Sequence, residues 1–128
     1  MQPVPRNKKH IQILPTQLLG THWVCSYYDT KNIFIYDSLN TKIITECQKQ
    51  FLKKLFPTYN FIKYPIQFPI VQERPNSDDC VFAIAFGISL LFDIKPDKVR
   101  YNINLMRSHL IKIFESNVIE HFPQDLSI

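Results

Sequence analysis

The chain has 128 residues, of which 45% are hydrophobic, and its formal net charge is +4. This length is typical of one domain with its own core, and no apolar stretch approaches the ~18 residues of a membrane-spanning helix. The mild charge does not indicate a nucleic-acid partner, because no basic run alternates with aromatic residues. We therefore expect a basic tail at 1–9, a single domain at 10–128 and no membrane partner.

The chain has three cysteines, Cys25, Cys47 and Cys80, and no two of them form a CxxC pair. Such a set indicates neither a zinc site nor a disulfide framework, and we expect no cofactor. The N-terminus lacks the apolar core of a signal peptide. We therefore expect an intracellular chain, in the nucleus or the cytoplasm, whose thiols stay reduced.

The first predicted elements are a short strand and a β-hairpin. The short strand is HIQILP (10–15), and the hairpin strands are THWVCSYYD (21–29) and KNIFIYDS (31–38). Both hairpin strands are rich in aromatic and β-branched residues, and a tight polar turn at 29–32 separates them.

A helix is predicted next, in TKIITECQKQFLKKLF (41–56), where apolar residues recur at helical spacing. Asn40 or Thr41 would be its N-cap, and Pro57 stands beyond its end.

The second half of the chain predicts an irregular segment and two helices. YNFIKYPIQFPIVQ (59–72) is β-like but contains two prolines, which indicates an edge or irregular strand. CVFAIAFGISLLF (80–92) is apolar on all sides, which favours a buried helix capped by Asp78 or Asp79. An amphipathic helix follows at 97–119. The predicted fold class is α+β, with helices flanking a small, mainly antiparallel sheet.

Cys80 lies at the boundary between a polar loop and an apolar run, in VQERPNSDDCVFAIAF (71–86). The thiolate is the nucleophilic form of cysteine, and a helix N-terminus lowers the pKa of a thiol. The position therefore suits a catalytic nucleophile. The structural alternative is a small apolar residue at the start of a core helix, since free cysteines are among the most buried residues.

A nucleophilic cysteine needs a base, and His22 is at the start of the first hairpin strand, directly before Trp23. With a two-residue loop, in either position that the turn allows, His22 lies opposite Asp37 or diagonal to it on the same face of the sheet. A three-residue loop would put the two on opposite faces. An aspartate beside the imidazole would orient it and stabilise its charged form. Asp29 is the rival partner, although a turn explains an aspartate there without any catalytic role.

Gln72 stands in the loop before Cys80. Acyl transfer needs hydrogen-bond donors aimed at the developing oxyanion, and a glutamine amide can supply one.

Taken together and in this order, THW, FIYDS and VQ…SDDCVFAIAF resemble the catalytic domain of the ubiquitin-like protein proteases. This is the ULP/SENP family of SUMO-processing cysteine peptidases, and the resemblance is especially to its short versions in mobile genetic elements and in scattered eukaryotic and viral genomes. The resemblance covers the chain from His10 onward, including YNINLMRSHL near the C-terminus. It implies a papain-like fold of the adenain/ULP type, abbreviated at its N-terminus.

The resemblance also implies a role for each candidate residue. His22 would be the base, Asp37 its orienting partner, Cys80 the nucleophile and Gln72 the oxyanion donor. Trp23 would wall the channel that takes the di-glycine tail of a SUMO-like modifier, which would be the partner.

The chain departs from the family in two places. The family has a glycine directly after the nucleophile, where this chain has Val81. The family also has a second tryptophan in its channel, whereas this chain has one Trp in all. Glycine lets a substrate backbone come close, and we expect Val81 to point either into the core or across the substrate channel. Two hypotheses follow. The chain is a peptidase or isopeptidase that cleaves after a di-glycine tail, or it is an inactive relative that binds a ubiquitin-like or other protein. An adenovirus-type peptidase would share the triad.

Overall fold

The computed structural model describes residues 2–16, 22–75 and 79–126. Within these ranges it has the expected α+β class. Its strands are β1 (His10–Pro15), β2 (Trp23–Tyr28) and β3 (Ile33–Tyr36), and its helices are α1 (Glu46–Leu55), α2 (Asp79–Leu91) and α3 (Ile103–Ser116). The three strands form one antiparallel sheet in the order β1-β2-β3.

The predicted hairpin is confirmed, and its register is fixed by a two-residue loop. Cys25 lies opposite Tyr36 in the ladder, and the backbone N–H of Asp29 donates to the carbonyl of Asn32 at 3.1 Å. The loop is therefore 30–31, one of the two positions that the sequence allowed. The predicted start of the strand at Thr21 lies outside the described residues.

Side chains alternate along the strands, so both faces of the sheet are buried. One face packs against α1, in a cluster that contains Val24, Ile33, Ile35, Leu52 and Phe56. The other face packs against α2, in a cluster that contains Cys25, Tyr36, Val81, Phe82 and Phe86. The sheet thus forms a middle layer between the two helices.

Helix α1 begins later than predicted. Its N-cap is Thr45, which forms a capping box with Gln48, whereas the sequence pattern placed the cap at Asn40 or Thr41. The Thr45 hydroxyl donates to the carbonyl of Thr16 at 2.6 Å, which fixes the helix start against the end of β1.

The buried helix is confirmed as α2, with Asp79 as its first residue; the other predicted cap, Asp78, lies outside the described residues. The last helix, α3, is shorter than the predicted 97–119. Residues Pro96–Lys98 form a separate 3₁₀ turn, and Tyr101 is extended and forms a bridge with Gln124.

The segment predicted to be irregular and the predicted basic tail both contact the rest of the domain. Residues 59–72 are irregular as predicted, and only Gln67 pairs with β3, through parallel hydrogen bonds of 2.9 and 3.0 Å. The basic tail is fixed to the domain: the N–H of Val4 donates to the carbonyl of Leu55 at 2.7 Å, and the carbonyl of Arg6 accepts from the Tyr28 hydroxyl at 2.6 Å.

Candidate active site

His22 and Asp37 are hydrogen-bonded at one end of the sheet. The Nε2–H of His22 donates to Oδ1 of Asp37 at 2.6 Å, and the two side chains are only 12% and 5% exposed. Both residues lie just beyond the last paired positions of β2 and β3, diagonal to each other in the observed register. The predicted contact between these side chains is therefore present.

The rival partner, Asp29, has a different place. Its Oδ1 accepts the backbone N–H groups of Lys31 and Asn32 at 2.9 and 2.7 Å. This is the side chain-to-backbone bonding typical of an aspartate in a turn. Asp29 thus stabilises the hairpin loop, at the opposite end of β2 from His22.

The carboxylate of Asp37 is held by its own turn as well as by His22. Oδ1 also accepts the N–H of Leu39 at 2.9 Å, and Oδ2 accepts the hydroxyl of Thr41 at 2.6 Å. Burial alone would raise the pKa of Asp37, but the hydrogen bonds from Thr41, Leu39 and His22 outweigh it and lower the pKa from its ordinary value. The carboxylate is therefore kept ionised and fixed in orientation beside the imidazole.

The turn at 37–40 also holds the loop that leads to Cys80. The side-chain amide of Asn40 bonds twice to the backbone of Val71, donating to its carbonyl at 2.9 Å and accepting from its N–H at 3.1 Å. The carbonyl of Ser38 accepts the N–H of Arg74 at 3.1 Å. Asn40 has a φ of 51°, a left-handed conformation that asparagine tolerates well. One turn thus orients His22 and anchors the loop before Cys80.

Cys80 is exposed and is the second residue of α2. The direction of α2 follows from its contacts with the sheet. Its C-terminal end, at Leu90, lines a shallow cavity with Tyr27, which is near the end of β2. Gly87 lies over Cys25, whose sulfur would be 3.8 Å from a Cβ at that glycine. Helix α2 therefore runs parallel to β2, and its N-terminal end faces the end of the sheet where His22 lies.

Helix and strand dimensions agree with this placement. Cys80 precedes Gly87 by two helical turns, so the two residues share one side of α2 and are separated by about 10 Å along its axis. His22 precedes Cys25 by three strand positions, which is also about 10 Å. Gly87 contacts the sheet, since its Cβ position is 3.4 Å from Ile11. By these dimensions, Cys80 and His22 lie at the same end of the sheet.

Val81 and Trp23 flank these positions. Val81 is 6% exposed and belongs to the core cluster between α2 and the sheet. Its side chain therefore points into the core, which is one of the two directions that the sequence left open. Trp23 begins β2, is half-buried and lies opposite Pro15; its role as a channel wall stays a prediction.

The side chain of Gln72 is bonded to the backbone of Tyr101. Its Oε1 accepts the N–H of Tyr101 at 2.6 Å, and its amide N–H donates to the carbonyl of Tyr101 at 3.2 Å. Gln72 therefore holds the extended segment that precedes α3. Its role as an oxyanion donor stays a prediction, and the amide would have to turn from this partner to fulfil it.

Cys25, His109 and His121 have structural roles. Burial raises the pKa of the Cys25 thiol above its ordinary value, which makes that thiol unreactive. His109 bonds to the carbonyl of Glu120 at 2.9 Å, and His121 bonds to the Ser89 hydroxyl at 2.8 Å. Ser89 lies near the C-terminal end of α2, so His121 is at the end of that helix opposite Cys80.

Sequence reasoning missed Asn40 and Thr41 as parts of the site, because both were taken as helix caps. The signal that could have identified them is the run Asp37-Ser38-Leu39-Asn40-Thr41 itself. Aspartate, serine, asparagine and threonine in succession favour side chain-to-backbone bonds in a turn.

Among the described residues there is no cluster of histidine, cysteine or acidic side chains that could hold a metal ion. No helix in the described part of the chain is long and apolar enough to cross a membrane. No known family model, curated protein or solved structure matches this chain. Its function is therefore inferred from the residues and their geometry.

Proposed function

We propose that this chain is a cysteine-type peptidase or isopeptidase in which Cys80 is the nucleophile, His22 the base and Asp37 its orienting partner. One observation carries the proposal. A buried imidazole–carboxylate pair, with its two atoms 2.6 Å apart, lies at one end of the sheet. The N-terminal end of α2, which carries the exposed Cys80, faces the same end. A nucleophile, a base and a group that orients the base are the parts that nucleophilic catalysis requires.

The hydrogen bond to Asp37 assigns the two ring nitrogens of His22. Nε2 donates to the carboxylate, so Nδ1 is the atom that exchanges protons during catalysis. Nδ1 takes the proton of the Cys80 thiol, and the sulfur attacks the carbonyl carbon of the substrate. Nδ1 then gives the proton to the leaving amine, and a water molecule activated by the same nitrogen hydrolyses the acyl-enzyme. Asp37 stabilises the imidazolium that forms in each half-reaction.

The architecture supports a papain-like arrangement. A central apolar helix carries the proposed nucleophile at its start and packs on an antiparallel sheet whose end carries the base. The position of Val81 is compatible with catalysis, because a side chain packed in the core does not occupy the substrate side of Cys80.

The substrate class comes from the sequence resemblance. We propose a ubiquitin-like modifier of the SUMO type, cleaved after its C-terminal di-glycine, with Trp23 as one wall of the narrow channel. Two glycines suit a channel of this kind, because without side chains their backbone can lie close to the protein. Such conjugates belong to the nucleus and cytoplasm, where we propose that the chain acts.

Covalent labelling tests this function. The chain is incubated with a panel of ubiquitin-like proteins that carry a C-terminal electrophile, and the adduct is detected by mass. We expect an adduct with wild type, none with Cys80→Ala and almost none with His22→Ala. Cys47→Ala is the matched control, since Cys47 is a half-buried cysteine outside the site, and it should label like wild type.

Each other outcome has a distinct meaning. Tight binding of a modifier without labelling would favour the inactive, protein-binding alternative. Labelling that survives Cys80→Ala would show that the nucleophile is misassigned. Absence of both labelling and binding across the panel, with a folded protein, would overturn the proposed substrate class.

A further inference from the structure

A groove lies between the sheet and the residues that follow α2. Its volume is about 670 Å³, within the ~300–1,000 Å³ of a typical ligand site. Leu90 and Asp93, at the C-terminal end of α2, line it, so the groove is at the opposite end of that helix from Cys80. A ligand held there would not depend on the proposed peptidase activity.

The floor of the groove is aromatic. Three rings stand in one row on the face of the sheet that packs against α2. The ring centroids of Tyr27 and Phe34 are 6.2 Å apart, and those of Phe34 and Tyr36 are 6.4 Å apart. Phe68 also lines the groove, and its neighbour Gln67 is hydrogen-bonded to β3, which holds this wall in place. The methylene stem of an arginine or a lysine packs well on such a floor.

Three carboxylates line the same groove, those of Asp29, Asp93 and Asp97. Burial raises the pKa of the Tyr36 hydroxyl, and the negative charges of Asp97 and Asp29 raise this pKa further, so both carboxylates lie near that hydroxyl. Among the described residues, these acids are not grouped closely enough to hold a metal ion. Acids spaced in this way suit a larger, organic cation.

Two lysines, Lys9 and Lys95, also line the groove. Both are exposed, and in the part of the chain that the structure describes neither forms an ion pair with a carboxylate of the groove. Three acids against two lysines leave an excess of one negative charge, in a chain whose net charge is +4. Complementarity of charge therefore favours a positive ligand at this place.

Tyr36 and Asp93 put polar groups into the groove at a cost in stability. Tyr36 is only 3% exposed, and no described residue is hydrogen-bonded to its hydroxyl, an arrangement that costs free energy. Asp93 has a φ of 58° just beyond α2, where the N–H of Ile94 donates to the carbonyl of Ser89 at 2.9 Å. Glycine is the favoured residue at such a position. A ligand that bonds to both polar groups would offset these costs.

We propose that this groove binds a basic side chain, arginine or lysine, of a partner protein or peptide. The stem of the side chain lies on the aromatic floor, and its cationic group lies between the carboxylates of Asp29 and Asp97. The Tyr36 hydroxyl accepts one of its N–H groups. Hydrogen bonds of this kind are strengthened by the charges of the donor and the acceptor.

Peptide titrations test this site. The probes are acetylated and amidated pentapeptides Gly-Ala-X-Ala-Gly, in which X is arginine, lysine, citrulline or glutamate, and binding is followed through the backbone amide NMR signals of the protein. We expect saturable shifts around Tyr36, Asp93 and Asp97 with the arginine and lysine peptides. Citrulline has the shape of arginine without its charge, so its peptide should bind about tenfold more weakly. Added salt should weaken the binding of both basic peptides.

Three variants remove the polar groups of the groove one at a time. Asp97→Asn should weaken binding of the arginine peptide about tenfold, and Tyr36→Phe, which keeps the ring, about threefold. Asp93→Gly should weaken binding and yet raise the urea midpoint of unfolding, because glycine suits the left-handed conformation. Glu115→Gln is the matched control: it removes the same charge from an exposed residue of α3 outside the groove, and it should bind like wild type.

Each other outcome contradicts the proposal. Equal affinity for the arginine and citrulline peptides would show that charge is not recognised. Tighter binding of the glutamate peptide would assign the groove to Lys9 and Lys95. A loss in Glu115→Gln as large as that in Asp97→Asn would reveal a response to net charge alone, and no saturable shift with any peptide at millimolar concentration would exclude the site. Failure of Cys80 to label would overturn the proposed function and leave this inference unaffected.

Discussion

Replacing Val81 by glycine tests whether the residue after Cys80 obstructs the proposed substrate channel. If the valine side chain filled the channel, Val81→Gly would increase labelling of Cys80. Because Val81 is 6% exposed and packs in the cluster between α2 and the sheet, we expect no gain. The substitution should act on stability instead.

The expected cost can be worked out from this position. Burying a valine side chain contributes about 1.5–3 kcal/mol to the free energy of unfolding, and glycine in a helix adds up to about 1 kcal/mol relative to alanine. Val81→Gly should therefore lower the free energy of unfolding by about 3 kcal/mol, a large part of the ~5–15 kcal/mol of a typical domain. For a domain of this size, the midpoint of thermal unfolding should fall by roughly 10 °C.

The assay has two parts. Urea unfolding followed by circular dichroism gives the free energy of unfolding for wild type, Val81→Ala and Val81→Gly. Labelling by the modifier electrophile is then measured well below the lowest midpoint, where all three proteins are folded. We expect stability to fall in the order wild type, alanine, glycine, while the labelling rate per folded molecule stays constant.

A rise in labelling rate with Val81→Gly, at little cost in stability, would refute this reasoning. It would show that Val81 lies over the attacking sulfur and not in the core. The start of α2 would then be rotated relative to the arrangement described above.

Three further predictions concern single side chains. Cys25 should react with thiol reagents only on unfolding, since the residue is 0% exposed and burial raises the pKa of its thiol. Rapid modification of Cys25 in the folded protein, detected by peptide mapping, would contradict its placement beneath α2. Asp37 has a lowered pKa when folded, so its stabilising contribution is present above the unfolded pKa of about 3.9 and is lost as the pH falls through the folded pKa. Asp37→Asn should therefore lower the urea midpoint of unfolding at pH 7, and the difference from wild type should be smaller at pH 3. An equal difference in urea midpoint at both pH values would exclude this linkage. Thr45→Ala should lower the free energy of unfolding by about 1 kcal/mol through loss of the α1 cap, whereas Thr41→Ala, which does not cap the helix, should leave the helical signal of α1 unchanged.

The sheet and α2 could be predicted because their signals are local. Alternating aromatic and β-branched residues identify the hairpin, and a two-residue loop then brings His22 to Asp37 without knowledge of the rest of the fold. The apolar run after Cys80 identifies a buried helix for the same reason. These features depend on neighbours in the sequence, where periodicity is informative.

The starts of α1 and α3 could not be predicted, because distant residues decide them. Residues 41–45 fit a helical pattern, but the Thr45 hydroxyl bonds to Thr16, which is 29 residues earlier, and Thr41 bonds to Asp37 in the preceding turn. These bonds keep this segment irregular. Tyr101 fits the pattern of the last helix, but its backbone is held by Gln72 and by the bridge to Gln124. Tertiary hydrogen bonds overrode local preference at both places.

The turn at 37–40 has a consequence for the order in which the chain assembles. The His22–Asp37 bond joins residues that are 15 apart in the sequence, whereas the Asn40–Val71 bonds join residues that are 31 apart. Short loops close at lower entropic cost than long ones, so the hairpin can form while the later residues are still being synthesised. The imidazole of His22 and the carboxylate of Asp37 would then meet before the loop at 71–75 is bonded to the turn at 37–40.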